Sequence, residues 1–284
     1  MGFELDLRQS LDQSLRANAG DLLEQAAAGL LGELEPDEAV HEARKSIKKL
    51  RALMRLIELP LGRRFRPCDR YFRDIARSLA PLRDALVQRQ LLEQLGRQQP
   101  ELAELTGRLL PRLPAARVKK PGKILRQAAT ALLDGRARLS RWPPFEPRFR
   151  TLGGGFRTVY QQAREPAWQL RGEEPAEPWH QWRKWVKYHG YQLRLLQPLA
   201  PDWLQPRALQ LKELGEWLGD EHDLGVLAAL QLRHAPELTG GAVMAVIGER
   251  RARLRRQALQ GGRALFADEP GELSQRLKRH WRRD

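Results

Sequence analysis

A chain of 284 residues has room for about two domain-sized units, and 42% hydrophobic with 30% charged residues marks a folded chain and excludes general disorder. Fifty Lys and Arg against 35 Asp and Glu leave a formal charge of +15, so the natural partners are polyanions: nucleic acid, an anionic membrane surface or free phosphate polymers. The single cysteine, Cys68, excludes an internal disulfide and a cysteine-based zinc site, and no apolar run approaches the roughly 20 residues that span a bilayer.

The start, M-G-F-E-L-D, carries acids where a secretory signal needs a basic start, which reads as cytoplasmic. Apolar residues recur at spacings of three and four and β-branched residues are scarce, so every element long enough to assign is helical. Residues 3–31 form a first helical stretch, broken at the turn of residues 32–36. A basic helix follows and ends near Pro60-Leu61-Gly62. A third helix runs from about Pro67 to Gln94, with Pro81 marking a kink or break. Residues 100–141 read as further helix around a Pro and Lys-rich turn at 111–122. The run W-P-P-F-E-P from Trp142, followed by Gly153, Gly154 and Gly155, reads as a connector with the glycines as a hinge or turn. Neither the strand nor the Lys-Ser/Thr of a phosphate loop accompanies them.

The basic helix reads V-H-E-A-R-K-S-I-K-K-L-R-A-L-M-R-L from Val40. At roughly 100° per residue, His41, Arg44, Lys45, Lys48, Arg51 and Arg55 share an arc of about 120°. Ala43, Ile47, Leu50 and Met54 collect opposite. Glu42 is the only acid beside the six Lys and Arg between His41 and Arg55, Lys49 included, so ion pairs along the helix cannot balance the face. Such a face repels itself unless an anion sits on it.

The second half repeats this pattern at a shift of 139 residues. His41 falls on His180, Arg44 on Arg183, Lys45 on Lys184, Lys48 on Lys187 and Arg55 on Arg194. The register continues unbroken through Pro67 on Pro206, Leu79 on Leu218, Asp84 on Asp223 and Leu91 on Leu230. The period is too long for a solenoid, whose repeats run roughly 20 to 50 residues. An all-α duplication is expected, with halves 1–145 and 150–284 forming two pseudo-twofold-related bundles of about four helices each around a basic groove or pore. Tyr191 shares the second cationic arc, with Trp182, Val186 and Leu193 behind. Two such faces meeting across a groove suit a chain of phosphates, because cations one helical turn apart stand about 5.4 Å apart along the axis. Arg then supplies forked contacts and Lys point charges.

The doubled H-x-x-R-K-x-x-K at His41 and His180, each followed about forty residues on by L-x-x-x-[RH]-D, resembles the CHAD family, the conserved histidine α-helical domain, over nearly the whole chain. The resemblance implies an all-α fold of two pseudo-symmetric four-helix bundles with a basic central cavity, inorganic polyphosphate as partner, and association with polyphosphate granules. It implies phosphate-ligand roles for His41, Arg44, Lys45, Lys48, Arg51 and Arg55, and for His180, Arg183, Lys184, Lys187 and Arg194. Sulfate or phosphate is expected to mimic the polymer. Gly190 replaces the base that Arg51 supplies and His222 stands where Arg83 stands, so the second ridge is expected to hold anions less strongly. Some members carry an added triphosphatase module, for which this chain shows no acid-rich strand pattern.

Other residues take supporting parts. Asp84 and Asp223, set among cations, are expected to have depressed pKa values and to hold a motif Arg or Lys in place, with Arg83 and His222 beside them. The histidines lack metal-ligand spacing, and no acidic cluster offers a magnesium site, so no cofactor and no catalysis are expected. Trp168, Trp182, Trp185, Trp203 and Trp217 read as core and not as base-stacking platforms. With Val243, Ile247, Leu254 and Ala258 inward, Arg250 and Arg253 flank the stripe and reach toward the groove, while Arg255 and Arg256 point away. Nucleic acid bound without sequence preference is the rival partner, and a polyphosphate-acting phosphohydrolase the rival activity.

Overall fold

The computed structural model describes residues 2–113, 121–238 and 242–281, with the side chains of 83–87, 238, 242 and 243 left aside. Among the described residues all regular structure is helical. Helix α1 (Leu11–Ala28) starts at a capping box, in which the Ser10 hydroxyl accepts from the Gln13 amide and the Gln13 side chain accepts from the Ser10 amide. It passes into a wider turn at Gly29–Glu33, which breaks where Gly32 takes φ 124°, a left-handed conformation natural to glycine. Helix α2 (Pro36–Leu56) follows, with proline at its first position and Asp37 and Glu38 in its first turn, both favourable at the positive end of a helix. It buries Ala43, Ile47, Leu50 and Met54, the apolar side expected of the basic helix.

Short α3 (Glu58–Leu61) leads to Gly62 at φ 52°. The expected third helix is two, α4 (Phe65–Ser78) and α5 (Ala80–Gln98), parted just before Pro81. Helices α6 (Ala103–Leu109) and α7 (Pro121–Arg138) complete the first half, and residues 114–120 of the intervening turn lie outside the description. After an irregular stretch from Trp142 come α8 (Arg150–Gln169), α9 (Ala176–Leu196), the 34-residue α10 (Pro201–His234), α11 (Ala242–Leu265) and α12 (Pro270–Arg279).

The three glycines are neither hinge nor turn. They lie inside α8, where a Cβ on Gly155 would overlap the carbonyl oxygens of Arg55 and Leu56 at the end of α2. At Gly155 the missing side chain lets two helix backbones touch, a tertiary demand that local composition does not reveal.

One hydrophobic core runs through both halves, from Phe3 and Leu15 through Leu50, Phe156 and Trp182 to Leu273 and Trp281. A second cluster joins α5 and α6 to α10 and α11 through Leu92, Leu105, Leu224, Leu227 and Ile247. The buried Gln192 amide of α9 donates to the Ala52 carbonyl of α2 at 3.2 Å, and the Leu5 amide donates to Leu195 O at 2.8 Å. The first bond fixes α9, and with it the second basic motif, directly on α2, and the second ties the N-terminal segment to the end of α9. Among the described residues no helix is long and apolar enough to cross a membrane.

Candidate functional site

Both basic motifs lie on 21-residue helices packed against each other, so their polar sides share one space. A cavity of about 330 Å³ takes Arg44, Lys48 and Arg51 from α2, and His180, Arg183, Lys184, Lys187, Tyr188 and Tyr191 from α9. His222 of α10 closes it, its ring 5.1 Å from that of His180. Residues more than a hundred positions apart in the chain thus line one small volume.

The packing leaves electrostatic marks. Burial lowers the Lys184 pKa, and the nearby cations Arg55 and Arg51 push it further against the opposing pull of Glu177 and Asp69. Burial likewise lowers His180, helped by Arg183, Lys184 and Lys48 of the facing helix and opposed by Glu177. His222 is pushed down to about 4 by burial, then by Arg183 and His180. Both imidazoles are therefore neutral at pH 7, each with one donor and one acceptor nitrogen. Lys49, half-buried beside Phe3, is lowered by burial and by Arg194 and Lys45. The buried Arg183 Nε has no hydrogen-bond partner.

Two of the residues lining this cavity, Arg51 and Arg44, are also held by partners within the protein, and Arg55, Lys45, His41, Arg194, Arg250 and Arg253 lie outside its lining. Arg51 grips Asp69 of α4 through Nε at 2.8 Å and Nη2 at 3.0 Å, and Arg55 reaches the same carboxylate at 2.8 Å. Burial works to raise the Asp69 pKa, but the two guanidinium donors outweigh it and hold the group at about 2. Arg55 is further enclosed by the Tyr188 ring, 4.5 Å from its guanidinium carbon, and by Trp185. Arg44 donates to the Ala76 carbonyl, and Lys45 pairs with Glu42 at 3.0 Å. His41 is half-exposed, 3.8 Å from Glu42, and Arg194 lines a neighbouring cavity. Arg250 pairs with Glu101, and with Arg253 it lines a separate cavity of about 140 Å³ beside Asp220 and Asp223.

Several expectations are corrected. The Asp223 pKa is raised, because burial outweighs the pull of Arg183 and Lys187. Arg255 points inward: it is buried, donates to Glu221 at 2.9 Å and to the carbonyls of Gly172 and Glu174, and covers the Trp179 ring. Glu221, 2% exposed and also held by Arg251 at 2.8 Å, draws it there. Trp168 is exposed, while Trp185 is partly buried against the core and also stands beside Arg55 and Lys184. Trp182 is fully buried, and Trp203 and Trp217 are partly buried against the core. Arg83, Asp84 and Val243 fall outside the described side chains. Among the described residues no cluster of three His, Cys, Asp or Glu side chains is placed to hold a metal ion.

Sequence reasoning missed Asp69, Tyr188 and Asp220. A signal existed only for the first, since two arginines one turn apart on a buried flank require a carboxylate from somewhere.

A family profile described as the CHAD domain matches residues 13–232. Among solved structures, the CHAD domain from the plant Ricinus communis superposes with a TM-score of 0.58 at 18% identity, covering 94% of this chain and 95% of that one. PptA from Streptomyces chartreusis does so with a TM-score of 0.55 at 18% identity, covering 94% and 100%. No curated protein matches the chain.

Proposed function

The chain belongs to the CHAD domain family, and from that premise we propose that it binds inorganic polyphosphate, without catalysing a reaction, in the cavity between α2 and α9. The observation that carries this reading is the convergence of Arg44, Lys48 and Arg51 with Arg183, Lys184 and Lys187 on one small volume. Cations are brought together at a cost, and that cost is recovered when an anion takes the place of water between them. Arg183, with a buried donor lacking a partner, supports an anion at this point. The neutral His180 and His222 each offer an N–H to a phosphoryl oxygen without adding to the repulsion. In this reading the two motif helices are counterparts in a pseudo-twofold pair of bundles, and the bound polymer draws the protein to polyphosphate granules in the cytoplasm.

The cavity is small, about 330 Å³, and lined by α2, α9 and α10, which favours a single phosphate chain over a nucleic-acid duplex. Calorimetric titration with polyphosphates of defined length tests the reading. Binding is expected to weaken steeply with salt. Lys48→Glu/Lys187→Glu is expected to reduce affinity by about a hundredfold or more, with helical content unchanged. Displacement of bound polyphosphate by an equal charge of DNA overturns the reading in favour of nucleic acid. Orthophosphate release by the purified protein with magnesium overturns its non-catalytic part.

A further inference from the structure

Beside the cationic cavity lies a larger one of about 690 Å³ between α9 and α10. Arg183, Lys187 and Tyr191 line both, so the two volumes meet along one edge of α9. The larger volume falls within the range of small-molecule sites. Its floor is apolar, built from Val186, Ala208 and Leu211. Along that floor Gly190 and Gly215 stand inside helices, where glycine is a poor choice.

Helix packing does not require these glycines. A Cβ on Gly190 would meet only Leu211 Cβ at 4.0 Å, and one on Gly215 only Val186 Cγ1 at 3.9 Å, both ordinary contacts. Gly155 differs, because there the backbone of α2 fills the space. What the absent side chains at Gly190 and Gly215 preserve is the open volume itself. Farther along α10 the lining carries the carboxylates of Glu216, Asp220 and Asp223, with Arg194 and Lys212 also on the rim. One end of the joint cavity therefore suits several negative charges. The other suits a flat apolar body that also donates hydrogen bonds.

We propose that this chain binds a nucleoside polyphosphate, with its phosphates in the cationic cavity and its nucleoside in the glycine-floored cavity beside it. The inference rests on the reading of the cationic cavity as a phosphate site. Arg183 and Lys187 stand at the junction, where the phosphate nearest the sugar lies. The base packs on the floor left bare by Gly190 and Gly215, near the Tyr191 ring, and its amino group and the sugar hydroxyls donate to Asp220 and Asp223. An isoprenoid diphosphate matches the charge and the floor but leaves those carboxylates without donors, which disfavours it.

The test is calorimetric titration of the full chain with inorganic tetraphosphate and with adenosine tetraphosphate at one salt concentration. The adenosine compound is expected to bind at least about tenfold more tightly. Gly215→Leu and Gly190→Leu, each checked for unchanged helical circular dichroism, are both expected to remove most of that gap. Affinity for inorganic tetraphosphate should stay within about twofold in both. Equal affinities for the two compounds in the natural protein, or a gap that survives both substitutions, overturns the inference and leaves polyphosphate binding standing. So does a gain for geranylgeranyl diphosphate over inorganic diphosphate without a matching gain for adenosine. If inorganic tetraphosphate itself does not bind, the phosphate-site reading falls first and takes the inference with it.

Discussion

Asp69 ties the flank formed by Arg51 and Arg55 to α4 by direct hydrogen bonds, and its removal separates structural from ligand-binding charge. Its side chain is 14% exposed and accepts from both guanidinium groups. The carboxyl is lowered from 3.8 to about 2, equivalent to about 2 kcal/mol of stability at neutral pH. A depressed carboxyl contributes fully above its unfolded value of 3.8 and loses that contribution as pH falls toward 2. Asp69→Asn is therefore expected to lower the thermal midpoint at pH 7 by about 5 °C in ligand-free protein. The same substitution releases two guanidinium groups next to Lys184 and should raise polyphosphate affinity by about three- to tenfold. Added polyphosphate then restores much of the lost midpoint, since a ligand bound only by the folded state stabilises it. Differential scanning calorimetry with and without polyphosphate, paired with titration, checks both arms. A midpoint and an affinity both equal to those of the natural protein refute the assignment of Asp69 as an internal counter-ion.

Gly155→Val drives a side chain into the α2 carbonyls of Arg55 and Leu56, and is expected to cost about 3 kcal/mol in denaturant unfolding; Gly107→Val, where nothing lies within 4 Å of the added Cβ, should cost far less. His189 is fully buried among Phe156, Tyr160 and Phe266 with neither ring nitrogen bonded, so burial depresses its pKa well below 6.5. The unfolded chain takes up that proton first, so stability should fall by about 1.4 kcal/mol for each pH unit below 6.5, a slope that His189→Phe flattens. Phosphate binding raises the lowered pKa values of His180 and His222, so affinity should increase as pH falls from 7 toward 5. Titration in two buffers of different ionisation enthalpy should show proton uptake, absent in His180→Gln/His222→Gln.

Much of this was legible in the sequence because helical periodicity is a local property. Ala43, Ile47, Leu50 and Met54 are buried as their spacing requires, and Pro81 separates two helices as proline chemistry requires. What escaped was set by partners distant in the chain. Asp69 belongs to α4, and nothing in R-P-C-D-R announces that it faces α2. Arg255 looked outward from its own apolar stripe, yet Glu221 of α10 offers a buried carboxylate that decides its direction. Asp223 illustrates the same limit for electrostatics: neighbouring cations can be read from sequence, but the burial that outweighs them cannot. The triple glycine had the composition of a turn, and only the approach of α2 to α8 explains Gly155 as a helix contact.

The contrast between Lys184 and Arg51 shows how one cluster can serve both fold and ligand. Arg51 keeps a raised pKa because, although burial opposes it, Asp69 bonds its guanidinium, so that its charge is already matched within the protein. Lys184 stands a short distance away with a lowered pKa, because burial and these same arginines oppose its charge more than Asp69 and Glu177 favour it. The matched pair therefore acts as a rigid cationic wall, while Lys184 carries the strain of the field that wall creates. An anion entering the cavity relieves Lys184, since it supplies what Asp69, already shared between two arginines, supplies only weakly. Salt then acts in opposite directions on one set of residues. It screens the repulsion among the cavity's cations and so stabilises the fold, while it weakens capture of a polyanion by the same charges. A net charge of +15 spread over the surface predicts the same two signs, so the assignment to this cavity turns on Lys184→Gln flattening both salt dependences, which a solvated basic surface would leave nearly unchanged.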